Sequence, residues 1–168
     1  MRMPTILVTS FFGMFFLIGF GIISFSLWNI RSSLVAGGWP TATGTIKAVH
    51  LDRKSDSDGD IFETKVVYNY VAQGKQFEGN RIAYGYCPSN GQRSHEQIFA
   101  KLQSAQTVEV RYDPSRPETS VLSYGIHRSH WFLLAFGTLW LAFSMGLASL
   151  IWIASLNETI LLKNLNTQ

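Results

Sequence analysis

The chain has 168 residues, of which 46% are hydrophobic and 15% are charged, whereas about 25% of the residues of an average soluble domain are charged. The formal net charge is +3, and no run of lysine and arginine of the nucleic-acid-binding type occurs, so the composition argues against DNA or RNA as a partner. Cys87 is the one cysteine, which excludes an internal disulfide.

The charged residues are segregated along the chain. None occurs in residues 5–30 or in residues 131–156, and nearly all lie between Arg31 and Arg128. As a helix, each uncharged stretch would extend about 39 Å, which exceeds the ~30 Å hydrocarbon core of a bilayer. Tryptophans, which favour the membrane interface, lie near the ends of both stretches at Trp28, Trp131 and Trp152. The sequence therefore predicts transmembrane helices at 5–30 and 131–156.

A cleaved signal peptide is the alternative for the first stretch. Its apolar part is much longer than a signal-peptide core of about 7–15 residues, and no convincing cleavage site precedes Trp39, so we expect a retained anchor. Two passes would place both termini on one side of the membrane. The basic residues flanking the spans are too evenly distributed to assign that side.

Small residues recur on one face of each span. Thr138, Ala142 and Gly146 are spaced by four residues, and Gly13 and Gly21 by eight. Small residues let helix backbones approach closely. We therefore expect the spans to pack as an intramolecular hairpin, with contacts between copies of the chain as the alternative.

Residues 39–126 carry the strand and turn patterns of a β domain. Strands are predicted at 41–51, 62–71, 76–82, 107–112 and 120–122. Two strands alternate clearly, with one face formed by Thr64, Val66, Tyr68 and Tyr70 and another by Val108, Val110 and Tyr112. Residues 53–60 and 72–75 are predicted turns, and Pro114 and Pro117 mark the loop between the last two strands.

A short helix follows the loop at 84–94. Ser94 is the predicted cap, with Gln97 completing a capping box, and Ile98, Leu102 and Ala105 share its apolar face. The expected fold is a membrane protein of the α+β class. Two transmembrane helices flank a small antiparallel β domain of about five strands, a curled sheet or barrel with one short helix.

Residues 56–60 resemble a calcium loop. Aligning Gly59 with the glycine of such a loop places Lys54 and Lys65 where the first and last carboxylate ligands are required. The cation would meet ammonium groups, so we interpret these residues as a solvated hairpin tip and predict no metal or cofactor site.

Two candidate catalytic patterns involve His95. The zinc-protease pattern that begins at His95 has Phe99 in place of its second histidine, and one ligand does not hold zinc. Cys87 and His95 suggest a nucleophile and a base, but no orienting carboxylate is evident. We favour a structural cysteine and predict no catalytic residues.

Aromatic residues are frequent in the β domain. They would form its core and rim, or alternatively line a ligand groove: Tyr68, Tyr70, Phe77, Tyr84, Tyr86 and Tyr112.

The middle of the chain resembles the DUF3592 family, small membrane proteins defined by a domain of unknown function. The resemblance rests on Trp39, Thr43-Gly44-Thr45-Ile46, Tyr68-Asn69-Tyr70, the run from Gly74 to Ile82, the run from Val108 to Pro114, Arg116-Pro117 and Ser120-Val121-Leu122. Where the family usually has a glycine before its final long strand, this chain has Ser104-Ala105-Gln106. The resemblance implies a β domain between membrane spans and no particular activity.

We therefore expect a membrane-anchored, non-enzymatic module that binds a partner protein or serves as an accessory subunit of a membrane complex. The alternatives are a membrane-bound enzyme of the hydrolase type, using Cys87 or His95, and a sensor of a small ligand or the lipid surface, using the aromatic face. The expected setting is the bacterial inner membrane as a multi-pass protein. The expected partners are the lipid bilayer and a second copy or another membrane protein.

Overall fold

The computed structural model describes residues 5–57 and 59–163. Its elements follow in the order α1 (Thr5–Ala36), β1 (Thr41–Asp56), β2 (Gly59–Ala72), β3 (Lys75–Gly79), α2 (Gln92–Ser104), β4 (Thr107–Asp113), β5 (Arg116–Val121) and α3 (Arg128–Lys163). The chain forms two compact units, a helical unit of α1 up to Leu27 with α3 from Trp131, and a sheet unit, Trp28–His130. Two long helices flanking a five-stranded antiparallel sheet with one short helix confirm the predicted fold class.

Both long helices contain a segment that is long and apolar enough to cross a membrane. These segments are Ser10–Ala36 and Arg128–Ala154, with mean hydropathies of 2.0 and 1.8. They overlap the predicted spans 5–30 and 131–156. The first helix does not end where its uncharged stretch ends, because it continues through Arg31 to Ala36.

Within the helical unit, α1 and α3 pack against each other. The indole Nε1 of Trp140 donates a hydrogen bond to the carbonyl oxygen of Phe15 at 2.9 Å, and the two rings stack with centroids 5.3 Å apart. Gly19 and Gly137 lie at close approaches, and a Cβ added to Gly19 would come within 2.5 Å of Leu141. The two helices therefore form an intramolecular hairpin, as expected.

The small residues predicted to make this contact do not make it. A Cβ at Gly13, Gly21 or Gly146 would meet no atom within 4 Å, and Thr138 and Ala142 are exposed. The contact face of α3 follows positions 137, 140, 141 and 144, which share one side of a helix. Trp140 contacts Phe15 of α1 from this face. The spacing of small residues predicted a different face of α3.

The sheet has the strand order β3-β2-β1-β4-β5, and its pairings are antiparallel. Alternate residues of β2 face the interior and are at most 5% exposed: Phe62, Thr64, Val66, Tyr68, Tyr70 and Ala72. Val110 of β4 joins this core, and Val108 and Tyr112 pack on it. Both faces predicted from alternation are confirmed.

The sheet curls so that its two edge strands meet. The hydroxyl groups of Tyr68 and Ser120 lie 3.0 Å apart, and the Tyr70 hydroxyl donates to the carbonyl oxygen of Pro117 on β5. Gly79 of β3 lies so close to Tyr68 and Ser120 that any side chain there would clash with both. β3 and β5 are not paired by a backbone ladder, so the domain is a curled open sheet rather than a barrel.

The polar residues 53–60, predicted as a turn, are mostly strand. β1 continues to Asp56 and β2 begins at Gly59; Asp58 lies outside the described residues. Ion pairs across the ribbon explain why polar residues stay extended here. Lys65 Nζ lies 2.7 Å from an Asp52 carboxylate oxygen, and an Arg53 guanidinium nitrogen lies 2.6 Å from Asp60.

Three smaller boundaries also differ from expectation. The N-cap of α2 is Gly91, and Ser94 does not cap the helix because its hydroxyl donates to the Gly91 carbonyl oxygen at 2.8 Å. β3 ends at Gly79 rather than at Ile82. Pro117 lies inside β5, where an edge strand tolerates a missing N–H group.

Replacing Gly19 by leucine should weaken the contact between α1 and α3, because the new side chain would enter the space of Leu141 and Trp140. Overpacking of this kind costs about 1–3 kcal/mol. Gly13→Leu, on an open helix face, is the matched control and should leave the melting temperature in detergent unchanged. Equal melting temperatures for the two variants would contradict the observed packing.

Candidate functional site

The most connected polar cluster in the sheet unit surrounds His95 in the first turns of α2. The His95 ring is 3% exposed. Its Nδ1 lies 2.7 Å from the hydroxyl of Tyr86, and its Nε2 lies 2.8 Å from the hydroxyl of Ser89. The Thr64 hydroxyl donates to the backbone oxygen of His95 at 2.7 Å. One histidine thus joins α2, strand β2 and the loop before α2.

The loop before α2 lies along the edge of β2 at Phe62 and Thr64, where β3 does not pair with β2. Phe62 and Ser89 exchange two backbone hydrogen bonds, of 2.8 and 3.1 Å. The Thr64 N–H donates to the Tyr86 hydroxyl at 3.0 Å. The loop therefore acts as a short extra strand whose position depends on side chains as well as on the backbone.

Both ring nitrogens of His95 have hydroxyl partners. The Tyr86 oxygen accepts the Thr64 N–H at 3.0 Å and also lies 2.7 Å from His95 Nδ1, while the Ser89 hydroxyl lies 2.8 Å from Nε2. Because a hydroxyl group can donate or accept, either tautomer of the neutral ring satisfies both contacts. Burial lowers the pKa of His95 below its usual value near 6.5 and so favours the neutral form.

The cluster holds the loop before α2 on the sheet. Tyr86 accepts a hydrogen bond from the backbone of β2 and contacts His95, Ser89 contacts the other nitrogen of the same ring, and Thr64 of β2 donates to the His95 backbone.

Cys87 does not join His95, although the sequence suggested the pair. Both ring nitrogens of His95 are engaged by Tyr86 and Ser89. Cys87 is exposed, and partial desolvation together with the charge of Glu63 raises the pKa of its thiol. A raised pKa keeps the sulfur in its less reactive protonated form at neutral pH.

The carboxylates of the β1–β2 ribbon are paired with cations rather than gathered around a common point. A hydrogen bond from Lys65 lowers the pKa of Asp52, and hydrogen bonds from Ser55 and Arg53 lower the pKa of Asp60. Within the described residues, no group of three or more His, Cys, Asp or Glu side chains is placed to hold a metal ion. This ribbon carries ion pairs where the sequence pattern suggested calcium.

Four of the aromatic residues pack on one another around the Tyr70 ring. The Tyr70 ring lies 6.0 Å from Tyr68, 5.9 Å from Phe77 and 6.3 Å from Tyr112, measured between centroids. Burial raises the pKa of the Tyr68 hydroxyl to about 12. An open depression of about 300 Å³ lies elsewhere, along β1 and β4, and is lined by Thr41, Ala42, Thr43, Thr107, Val108 and Glu109. Tyr68 and Tyr70 therefore belong to the core, with Phe77 and Tyr112 packed against it, whereas Tyr84 packs with Ala36, Val121 and Trp39, and Tyr86 contacts His95.

One side of the central strand β1 is unpaired over the second half of its length. β1 pairs with β4 only from Thr41 to Thr45, and one further bond joins Ile46 N–H to the Gln106 oxygen. From Ala48 to Asp56, β1 pairs with β2 on one side. Among the residues that the structure describes, no strand pairs with the other side. This segment, residues 48–56, is called the open edge below.

Replacing His95 by glutamine should lower stability at neutral pH by about 1–3 kcal/mol, because the buried hydroxyl of Tyr86 loses its partner. The substitution should also make the free energy of unfolding less dependent on pH in acid. In the wild-type chain the unfolded state binds a proton at His95 more readily than the folded state does. The free energy of unfolding therefore falls as the pH drops below about 6.5 and on through the lowered pKa of the folded state.

Thermal unfolding in detergent, followed as a function of pH, measures both effects. His50→Gln, at an exposed position of β1, is the control and should retain the wild-type pH profile. An unchanged profile for His95→Gln would show that His95 is not the buried neutral group described above.

The sequence comparisons identify the sheet unit. The model of the family described as Domain of unknown function (DUF3592) matches residues 42–127, which correspond to the five strands, α2 and the segment leading to α3. A search of curated proteins found no match, and a search of solved structures found none either. The match covers more than half of the chain, and the protein therefore belongs to the DUF3592 family.

Proposed function

We propose that this protein is a two-span membrane protein whose sheet unit is a non-enzymatic binding module for a partner protein. The open edge, residues 48–56, carries this proposal. An unpaired strand edge presents a row of free backbone N–H and C=O groups, and an extended segment of another protein binds such an edge by adding a strand.

The exposed surface of the helical unit supports membrane insertion. Only 17% of the α1 window and 11% of the α3 window is buried inside the protein. Large apolar side chains lie on the outside, among them Leu17 at 75% and Phe132 at 70% exposure. A contiguous apolar surface of this kind is stable in lipid and costly in water, and helical spans suit a bacterial inner membrane, since outer-membrane proteins span as barrels.

The end of α1 supports retention of the first span. Ala36 and Ser33 are fully buried in the sheet unit. The Ser33 hydroxyl donates to the carbonyl oxygen of Gly125 at 2.8 Å. Cleavage after the apolar stretch would sever the helix whose last turns are part of the sheet unit, so a removable signal peptide is a poor fit.

The position of the open edge also suits a partner. The β1–β2 ribbon extends beyond the strands that cover its beginning, because β4 ends its pairing with β1 at Thr45. His50 and Lys54 are exposed there. Antiparallel pairing with β2 keeps the β1 backbone extended as far as Asp56 without a third strand, which leaves the edge formed in advance of binding.

Photo-crosslinking residues placed at His50 and at Lys54 test the binding mode in native membranes. We expect both positions to capture the same segment of one protein. The two mapped sites on that segment should lie about four residues apart, because an added strand advances in step with β1. A photo-crosslinker at Glu96, exposed on α2, is the control and should capture nothing at that segment.

Mapped sites without a constant spacing, or no product at either position, would contradict strand addition. A product from a second copy of this chain, mapped to its own residues 48–56, would replace the partner protein by self-association at the same edge.

The mass of the intact protein extracted from membranes tests the two-span arrangement. We expect the mass of a chain that retains residues 5–30, and we expect reporters fused to the two termini to lie on the same side of the membrane. A mature chain beginning after Ile30 would contradict the retained anchor.

A further inference from the structure

Two residues of β2 point their backbone groups away from β1. The N–H of Thr64 donates to the Tyr86 hydroxyl at 3.0 Å. Phe62 exchanges backbone hydrogen bonds of 2.8 and 3.1 Å with Ser89. Both partners belong to the loop before α2, so neither Thr64 nor Phe62 uses these groups to bond to β1.

This arrangement defines which residues of β1 offer backbone groups to a partner. Leu51 lies opposite Thr64, and Arg53 lies opposite Phe62. In an antiparallel pair, two residues directly opposite each other either exchange hydrogen bonds or both point outward. Leu51 and Arg53 therefore direct their N–H and C=O groups outward at the open edge, residues 48–56.

One face of the open edge is apolar. Residues directly opposite each other in an antiparallel pair have their side chains on the same face. Val49 lies opposite the buried Val66, and Leu51 lies opposite the buried Thr64. Val49 and Leu51 are half-buried, and Val49 packs against the core. A strand added beside β1 would extend this face and would bury apolar side chains there.

The other face of the open edge carries charge. Lys65 Nζ lies 2.7 Å from a carboxylate oxygen of Asp52 and 3.6 Å from one of Glu63. Lys54 is exposed and lies opposite Ile61. Among the side chains that the structure describes, no carboxylate lies within 4.0 Å of the Lys54 ammonium group.

Arg53 does not share the position of Lys54. Its guanidinium group lies 2.6 Å from an Asp60 oxygen and 5.9 Å from the centroid of the Phe62 ring. Every carboxylate of β1 and β2 whose side chain the structure describes thus has a cation within 4.0 Å. Lys54 is the cation of this ribbon that remains for a carboxylate from outside.

We propose that the open edge binds an extended, antiparallel segment of a partner protein in which apolar and acidic residues alternate. This inference rests on the proposed strand addition and adds the chemistry of the added strand. Its apolar side chains lie beside Val49 and Leu51, and a carboxylate lies beside Lys54 on the opposite face. Charge complementarity and continuity with the core select this segment as the occupant.

Binding of synthetic peptides to the full-length chain in detergent tests the chemistry of the segment. Each peptide is as long as residues 48–56. Valine alternates with glutamate in the first, with lysine in the second and with serine in the third. Fluorescence anisotropy of the labelled peptides measures the affinities. The glutamate peptide should bind about fivefold more tightly than the lysine peptide, which is the size of effect that an exposed ion pair has, and the serine peptide should lie between them.

Lys54→Glu should reverse this order of affinities. The matched control is Lys75→Glu, which changes an exposed lysine at the start of β3, the strand at one end of the strand order. This control should keep the wild-type order. Equal affinities of the wild-type chain for the glutamate and lysine peptides would overturn the acidic partner, and so would an unchanged preference in Lys54→Glu.

Methylated versions of the glutamate peptide test the backbone pairing. In antiparallel pairing, the peptide residues that bond to Leu51 and Arg53 lie directly opposite them and share their face. These residues are the valines. Methyl groups on the valine nitrogens should abolish binding, whereas methyl groups on the glutamate nitrogens should leave it unchanged. Binding that survives methylation of the valine nitrogens would overturn the antiparallel pairing.

Two further outcomes separate this inference from the proposed function. A chain to which none of the three peptides binds contradicts strand addition itself, whereas a chain that binds all three equally contradicts only the acidic character of the segment. A wild-type dimer in detergent that the glutamate peptide dissociates would assign the open edge to a second copy of the chain and overturn the assignment to a partner protein.

Discussion

The end of α1 and its attachment to the sheet are the contact on which the rest of the sheet unit depends. A helix ends with carbonyl groups that need partners outside it, and here the N–H groups of Gly37, Gly38 and Trp39 donate to the last carbonyl oxygens of α1. Arg111, on β4, fixes the residues that follow, because it donates to the carbonyl oxygens of Gly37 at 2.9 Å and Trp39 at 3.2 Å. Its cation also complements the negative end of the helix dipole. Ala36 packs at full burial with Tyr84 and Val121. β1 begins directly after this junction and is the central strand of the sheet, with β2 and β3 on one side and β4 and β5 on the other.

The junction explains why the cations of the sheet unit differ in role. Arg111 is 19% exposed at its side chain and is held by backbone oxygens, by Glu109 and by the ring of Tyr124. Arg81 lies over another ring, that of Tyr84, and among the described residues no carboxylate lies within 4.0 Å of its guanidinium group. Side chains of one type thus differ in exposure and in partners within one sheet unit.

Much of the sheet is predictable from the sequence. β2 is recognisable because its β-branched and aromatic residues alternate over a long run, and a period of two sustained over that length is typical of a half-buried strand. The turn at 72–75 is recognisable because Gly74 supplies a positive φ, which Gln73 also adopts at 51°. The resemblance to the DUF3592 family was recognisable from short motifs in this part of the chain, and the family model matches residues 42–127.

The errors have physical causes. Residues 53–60 are polar and resemble a turn, but ion pairs between the two strands stabilise an extended ribbon, and such pairs depend on a register that composition does not encode. Tyr86 and Ser89 precede His95 within an irregular loop, so no periodic spacing connects them. The contact face of α3 differs from the predicted one because the ring of Trp140 selects it, while Thr138 and its small neighbours lie on another face.

The last turns of α1, from Trp28 to Ala36, belong to the sheet unit. Asn29, Ser33 and Ala36 are buried there, and their spacing by four and three residues places them on one side of the helix. Inserting a single residue between Asn29 and Ser33 would rotate Asn29 by about 100° about the helix axis relative to Ser33 and Ala36. The number of residues in these turns is therefore as constrained as their composition.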